Sequence, residues 1–265
     1  MTMAATAQTR GTAPHQASGG GLPGAVAAEW TKLWGLRSTW LCLAVAVLAT
    51  AGTAVLAAVE LRYSDNTDTP AANSLVVAAT LLSQFAVVAV AALSVTGEYA
   101  TGAMRTTLST VPRRGRMVLA KVAVLAVATF AAGCAAGAVV IATTAAMFGD
   151  AVIYETAPVL HGVVGVGGYM AGLALFTLGL GLLLRSTAGA ITTVVGVVLA
   201  LPMISQMISN DTLDAIVEHM PARAGTTLMA GTGDPYSGGV AALLLAGWAA
   251  VSLVLGFAAL ARRDT

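Results

Sequence analysis

The chain has 265 residues, of which 57% are hydrophobic and only 9% are charged, and its formal net charge is +1. A soluble domain carries roughly 25% charged residues, so this composition excludes a soluble globular protein. The charges leave six apolar intervals, each longer than the roughly 20 residues that a helix needs to cross a bilayer. The sequence therefore predicts an all-α integral membrane protein with six transmembrane helices.

The first predicted element is a tail over residues 1–24, rich in Ala, Thr, Gly and Pro. It lacks the apolar core of a signal peptide, and we expect it to be a disordered cytoplasmic segment. The dominance of Arg over Lys, with many Ala, Val and Gly residues, is typical of a bacterial protein from a GC-rich genome.

Residues 25–39 are predicted to form an amphipathic helix that lies in the membrane interface. One stripe of this helix consists of Val26, Trp30, Leu33, Trp34 and Arg37. On another face, Glu29 and Lys32 are three residues apart and can form an ion pair. With Trp40, the tryptophans would sit at headgroup depth. The helix either only anchors the chain or also contacts a cytoplasmic partner through its polar face.

A six-span domain is predicted over residues 40–261, followed by a cytoplasmic end over 262–265. Its spans are predicted at residues 40–59, 75–95, 118–147, 160–184, 188–206 and 239–261. The third is longer than a bilayer requires, so it tilts or extends around Lys121, the alternative being a break at Gly133 or Gly137. Small residues in the spans, including Gly168 and Gly172, are expected to let helices pack closely.

The distribution of charge predicts the orientation. In the six-span arrangement, 11 of the 13 basic residues lie on the side of both termini, whereas most acidic residues lie on the other side. The positive-inside rule therefore places both termini in the cytoplasm. On the outer side, residues 207–238 form a long connection in which the segment 212–220 is expected to be a short helix.

The longest cytoplasmic connection is predicted over residues 96–121. Within it, Met104, Leu108 and Val111 recur at helical spacing before Pro112, which predicts a short amphipathic helix. Lipid contact explains the basic residues that follow, but it does not explain an apolar stripe on a cytoplasmic helix or the nearby Glu98. A helix that docks into a groove of another protein explains both.

Several kinds of chemistry are missing from the sequence. No Asp or Glu lies in a span core, which disfavours ion-coupled transport, and no HExxH motif is present. Neither lysine follows a phosphate-binding loop, so ATP would have to be bound by another chain. Four polar residues in the spans are candidates for lining a transport path: Ser83, Gln84, Thr143 and Thr144.

Two stretches, EWTKLWGLRSTW (29–40) and TGEYATGAMRTTLSTVPRRGRMVLAK (96–121), resemble the permease subunits of type-2 ABC exporters, particularly the actinobacterial branch. The resemblance implies that two permease chains, expected to be identical, assemble with two ATPase subunits. It also implies short re-entrant helices before the last span. The coupling region that enters the ATPase would contain Gly97, Glu98, Tyr99, Thr101, Gly102, Met104, Arg105, Thr106, Thr107 and Leu108. The interfacial helix would contribute Glu29, Lys32 and Arg37.

These features predict the permease of an ATP-driven exporter in the bacterial plasma membrane, with an amphipathic or hydrophobic cargo such as a drug-like compound, a lipid or a peptide. The chain itself would not be an enzyme and would hold no cofactor, since ATP and Mg²⁺ would bind to the partner ATPase. Membrane lipid is an expected partner and nucleic acid is not. The alternatives are a membrane scaffold or sensor that recruits a partner without transport, and an uncoupled channel or carrier.

Overall fold

The computed structural model describes residues 21–63, 72–102, 114–148, 156–208, 210–231 and 233–263. Secondary structure within these ranges is helical throughout, apart from turns and short connections. The helices are α1 (Gly21–Gly35), α2 (Arg37–Tyr63), α3 (Ala72–Ala100), α4 (Arg114–Phe148), α5 (Thr156–Leu184), α6 (Thr187–Val195), α7 (Leu201–Met207), α8 (Asp211–Glu218), α9 (Pro221–Ala230) and α10 (Gly238–Arg263).

Within the described residues, six helical stretches are long and apolar enough to cross a membrane, as expected for a multi-pass membrane protein. They are Arg37–Ala57, Val76–Ala100, Arg114–Met147, Val159–Leu184, Thr187–Met207 and Gly238–Arg262, here called spans one to six. The number of spans confirms the prediction, and their limits differ from the predicted ones by a few residues. Span three lies within α4, which is one continuous helix of 35 residues. The expected alternative of a break at its glycines is therefore not found.

Span five is the irregular one, because α6 and α7 are joined by a π-helical turn over Gly196–Ala200. In this turn the backbone N–H of Leu201 donates to the carbonyl of Gly196, five residues earlier. Pro202 follows directly and has no N–H to donate, so the helix is locally widened where a regular ladder cannot continue.

Helix α5 lies at the centre of the bundle and packs mainly against α4, α10 and α3. Of its most apolar segment, 67% is buried, compared with 17% in spans one and five. Glycines allow the close approach: a Cβ on Gly133 would lie 2.8 Å from Cα of Gly167, and one on Gly179 would lie 2.4 Å from the backbone of Ser252. The expected role of small residues in helix packing is confirmed at these crossings.

The two ends of the bundle differ. The α1 end contains α1, the end of α3 and the start of α4. The hairpin end contains α8 and α9, which connect spans five and six. Helix α8 corresponds to the predicted short helix over 212–220. Helix α9 was not anticipated from the residues, and its Ala224, Thr227 and Met229 are buried against the bundle.

Candidate functional site

Helix α1 packs onto the bundle through a face that contains Glu29. Its buried residues are Ala25, Glu29 and Leu33, spaced four residues apart, whereas Trp30 is 44% exposed. The expected ion pair between Glu29 and Lys32 is present. The position of the tryptophans at headgroup depth stays a prediction. The helix also begins at Gly21, inside the segment expected to be tail, and ends at Gly35 rather than at residue 39.

Four charged side chains form a cluster at the α1 end, which we call the charge cluster: Glu29, Lys32, Glu98 and Lys121. Lys121 Nζ lies 2.6 Å from Glu29 Oε2 and 3.0 Å from Glu98 Oε1. Lys32 Nζ lies 2.8 Å from Glu29 Oε1 and 3.2 Å from Glu98 Oε1. The cluster therefore ties α1 to the end of α3 and to the start of α4, and its formal charges cancel.

Lys121 is the buried centre of this cluster. Its ammonium group has three protons to donate, and the third goes to the carbonyl of Ser94 at 3.0 Å. Lys121 and Glu29 are each 5% exposed. A buried ion pair of this kind is tolerable only when every charge is matched, because desolvation of an unmatched charge costs several kcal/mol.

The same contacts determine the charge states of Glu29 and Lys32 on α1. Burial acts to raise the pKa of Glu29, but the ammonium groups of Lys121 and Lys32 outweigh it and hold the pKa below its ordinary value of 4.5. Burial likewise acts to lower the pKa of Lys32, yet Glu29 and Glu98 raise it above 10.5. Both groups therefore stay charged at neutral pH.

The predicted coupling region begins inside α3 rather than in a loop. Gly97, Glu98 and Tyr99 belong to its last turn, which continues until Thr101 N–H donates to the carbonyl of Gly97 at 3.1 Å. Gly102 then takes a φ of +72°, the left-handed conformation with which glycine commonly ends a helix. The next helix, α4, begins at Arg114. The remaining predicted coupling residues, Met104, Arg105, Thr106, Thr107 and Leu108, lie outside the described residues.

A second set of contacts joins the end of α3 to the corner between spans four and five. The hydroxyl oxygens of Thr96 and Thr187 are 2.6 Å apart. The guanidinium carbon of Arg185 lies 5.0 Å from the ring centroid of Tyr99, which is cation–π geometry. Arg185 has a φ of +53°, an unfavourable conformation for a side chain other than glycine that the surrounding contacts maintain.

A cavity of about 320 Å³ adjoins the charge cluster, between α1, α3 and α4. Its walls include Leu33, Leu36, Leu93 and Leu125 beside the four charged residues. Next to it, the rings of Trp30, Trp34 and Trp40 follow one another with centroids 5.7 and 5.1 Å apart. Arg37, predicted to belong to the interfacial helix, is instead the first residue of α2.

The hydroxyls among the predicted path-lining residues bond within their own helices. Ser83 and Thr144 are buried, and their hydroxyls donate to carbonyls of their own helices, as does the hydroxyl of Thr143. Gln84 is buried and accepts a hydrogen bond from the hydroxyl of Tyr169 on α5. The sequence analysis did not select Tyr169 as a candidate residue. A tyrosine within a glycine-rich span was a feature that could have indicated its role as a buried hydrogen-bond donor.

Among the described residues, no three His, Cys, Asp or Glu side chains converge on a point that could hold a metal ion. The charge cluster itself pairs each acid with lysines and so offers no open ligand set. The charge cluster therefore has a structural role: it joins α1, α3 and α4 next to the chain ends that flank residues 103–113. No protein-family model matches this chain, and no curated protein is significantly similar to it.

Proposed function

We propose that the chain is the membrane-spanning permease of an ATP-driven exporter, with the α1 end in the cytoplasm. Two permease chains would assemble with two copies of a separate ATPase. The fold supports this proposal with six apolar spans, and the resemblance of residues 29–40 and 96–121 to type-2 ABC exporter permeases supplies the family.

The observation that carries the proposal is the position of the charge cluster. Residues 103–113, which carry the predicted coupling helix, are flanked by Gly102 and Arg114. The flank on α3 is connected to the charge cluster through Glu98, and the flank on α4 is connected to it through Lys121. A force applied to the connection is therefore delivered to α1 and to spans two and three together.

In the proposed mechanism, ATP closes the partner ATPase subunits and moves the docked connection. The charge cluster transmits this movement to α1, and the Thr96–Thr187 and Tyr99–Arg185 contacts transmit it to span five. The spans would rock as packed units because their glycine-mediated crossings leave little room for independent movement. The ATPase supplies the free energy, and this chain supplies the path and its selectivity.

The proposed cargo is amphipathic or hydrophobic. The span cores carry few ionisable groups, and the cavity beside the charge cluster combines an apolar wall with charged side chains. Such a site suits a drug-like compound, a lipid or a hydrophobic peptide better than a small ion. The proposed location is the bacterial plasma membrane.

A scaffold or sensor that recruits a cytoplasmic partner would use the same α1 end, and it is the second candidate. The two functions differ in whether the partner hydrolyses ATP and whether its activity depends on residues 103–113.

The test is purification of the tagged chain from its native membranes, followed by measurement of ATP hydrolysis in the eluate. We expect an ATPase to co-purify, and Met104→Asp to lower the hydrolysis at least about tenfold by placing a charge in an apolar groove. Ser109→Asp adds the same charge off the apolar stripe and should leave hydrolysis nearly unchanged. Absence of an ATPase, or equal hydrolysis in the two variants, would favour the scaffold.

A further inference from the structure

One carboxylate oxygen of the charge cluster lacks a hydrogen-bond donor. Glu98 Oε1 accepts from both Lys32 and Lys121, at 3.2 and 3.0 Å. Glu98 Oε2 is buried, and no described residue donates a hydrogen bond to it. In Glu29, by contrast, each of the two oxygens lies within 2.8 Å of a lysine. A buried acceptor without a donor is costly, so this position favours a ligand that donates a hydrogen bond.

The cavity beside the cluster places this oxygen next to apolar walls. Glu98 lines it together with Leu33, Leu93, Val124 and Leu125. Its volume of about 320 Å³ is at the lower end of the range of about 300–1,000 Å³ for small-molecule sites. This volume suits a polar head group and the first part of a hydrocarbon chain. The chemistry of the walls therefore calls for an amphiphile with a hydrogen-bond donor in its head.

The surroundings of the cavity favour a membrane lipid over a soluble compound. Leu36 lines the cavity and is 43% exposed. The neighbouring Trp30 and Trp40 are 44% and 58% exposed. Exposed tryptophans are typical of the membrane–water interface, where lipid head groups lie. A lipid can therefore place its head in the cavity while most of its acyl chains stay in the hydrocarbon layer.

The charges around the cavity favour a zwitterionic head. The four side chains of the charge cluster sum to zero, so a head with a net charge would leave one charge unmatched. Helix α2 begins at Arg37, and its neighbours Leu36 and Ser38 both line the cavity. The amino-terminal end of α2 therefore borders the cavity, and such an end favours a phosphate group. A head with one phosphate and one primary ammonium group matches both the α2 end and Glu98 Oε2.

We propose that this cavity binds one zwitterionic phospholipid with a primary ammonium head, of which phosphatidylethanolamine is the common membrane example. The ammonium group donates to Glu98 Oε2, and the phosphate lies at the amino-terminal end of α2. The first part of an acyl chain lies along Leu33, Leu93 and Leu125. The inference rests on the proposed function in assigning an amphipathic ligand to this cavity, and it adds the head group, but binding requires neither ATP hydrolysis nor transport.

The test titrates the purified full chain in detergent with phospholipids that have identical acyl chains, and native mass spectrometry measures the Kd of the first bound lipid. Phosphatidylethanolamine should bind at least about tenfold more tightly than phosphatidylcholine. The choline head keeps the charge and the phosphate, but methyl groups replace its N–H donors to Glu98 Oε2. Phosphatidylglycerol, whose head has a net negative charge, should also bind at least about tenfold more weakly.

Two variants separate the acceptor from the cavity. In Glu98→Gln, the amide oxygen stays with the lysines and the amide N–H₂ takes the place of Oε2, so the preference for ethanolamine over choline should disappear. Gly97→Leu fills the cavity, which Gly97 lines and where an added Cβ meets nothing within 4 Å. It should weaken binding of phosphatidylethanolamine at least about tenfold. Gly52→Leu makes the same change at an open position on α2 outside the cavity and should bind like the native chain.

The outcomes are separable. Equal affinities of the native chain for the ethanolamine and choline lipids would overturn the proposal, as would a retained preference in Glu98→Gln or undiminished binding in Gly97→Leu, which keeps every ion pair. Glycerophosphoethanolamine, the same head without acyl chains, should compete at least about tenfold less well than the lipid, because it leaves the apolar walls uncovered. Equal competition would overturn the assignment to a lipid. The binding measurement includes no ATPase, so this inference and the proposed function can fail separately.

Discussion

Lys121 donates to three acceptors: Glu29, Glu98 and the carbonyl of Ser94. The pairing of Glu29 with Lys32 was predictable because three residues along a helix place side chains on neighbouring positions. The pairing of Lys121 with Glu29 was not, since these residues are 92 positions apart and local pattern says nothing about distant contacts. For the same reason, the burial of Glu29 was not predictable, because its buried partner lies on another helix.

Replacement of Lys121 by Met should therefore destabilise the protein by about 3–5 kcal/mol, because the buried Glu29 and Glu98 lose their shared cation. Lys32→Met is the matched control and should cost about 1 kcal/mol or less, since the side chain of that lysine is 40% exposed and Lys121 remains to pair both glutamates. Equilibrium unfolding in detergent measures both. Adding Glu29→Gln to Lys121→Met should recover part of the loss. Equal effects of the two lysine variants would show that the cluster has no buried centre.

At the scale of elements, helix contacts follow the positions of glycine. The sequence indicated which residues are small, and the structure shows which of them meet a neighbouring backbone. Gly179 on α5 lies against Ser252 on α10, whereas a Cβ on Gly247 would meet nothing within 4 Å. The connection formed by α8 and α9 shows the limit of such reasoning. Its second helix combines Pro, Arg and Thr without an apolar stripe, so only its tertiary contacts reveal that it is buried.

Gly179→Ala should destabilise the protein by about 1–3 kcal/mol, because the added methyl group overpacks the crossing of α5 and α10. Gly247→Ala makes the same change where space is open and should be neutral or slightly stabilising, by up to about 1 kcal/mol. Thermal unfolding of the two variants in one detergent provides the comparison. If Gly179→Ala unfolds at the native temperature, α5 and α10 are not in close contact.

At the scale of the whole molecule, the number of spans was predictable, because the hydrocarbon thickness fixes the length of a spanning helix. The arrangement of spans around α5 was not predictable, because all six are apolar and any could have been central. The orientation of the bundle remains a prediction from charge alone.

Cysteine labelling tests that orientation. In a background with Cys42 and Cys134 replaced, a cysteine between residues 64 and 73 should react with a membrane-impermeant reagent in intact cells. A cysteine between residues 107 and 116 should react only after the cells are opened. The reverse pattern would place the α1 end and residues 103–113 outside the cell, where no ATPase could reach them.

Under the proposed mechanism, ATP bound by a partner moves the connection at the α1 end, and the rocking spans change the cavity of about 570 Å³ that span five, α8 and α9 line at the hairpin end. One accessibility measurement tests this without knowledge of the cargo. Gln206→Cys lines the hairpin-end cavity, and Thr212→Cys on α8 lies outside it. In the same background, purified complex reconstituted in liposomes is labelled with and without a non-hydrolysable ATP analogue. We predict that the analogue changes the labelling rate of Gln206→Cys at least about threefold, leaves Thr212→Cys unchanged, and has no effect once Met104→Asp is added. An unchanged rate at Gln206→Cys would contradict the account.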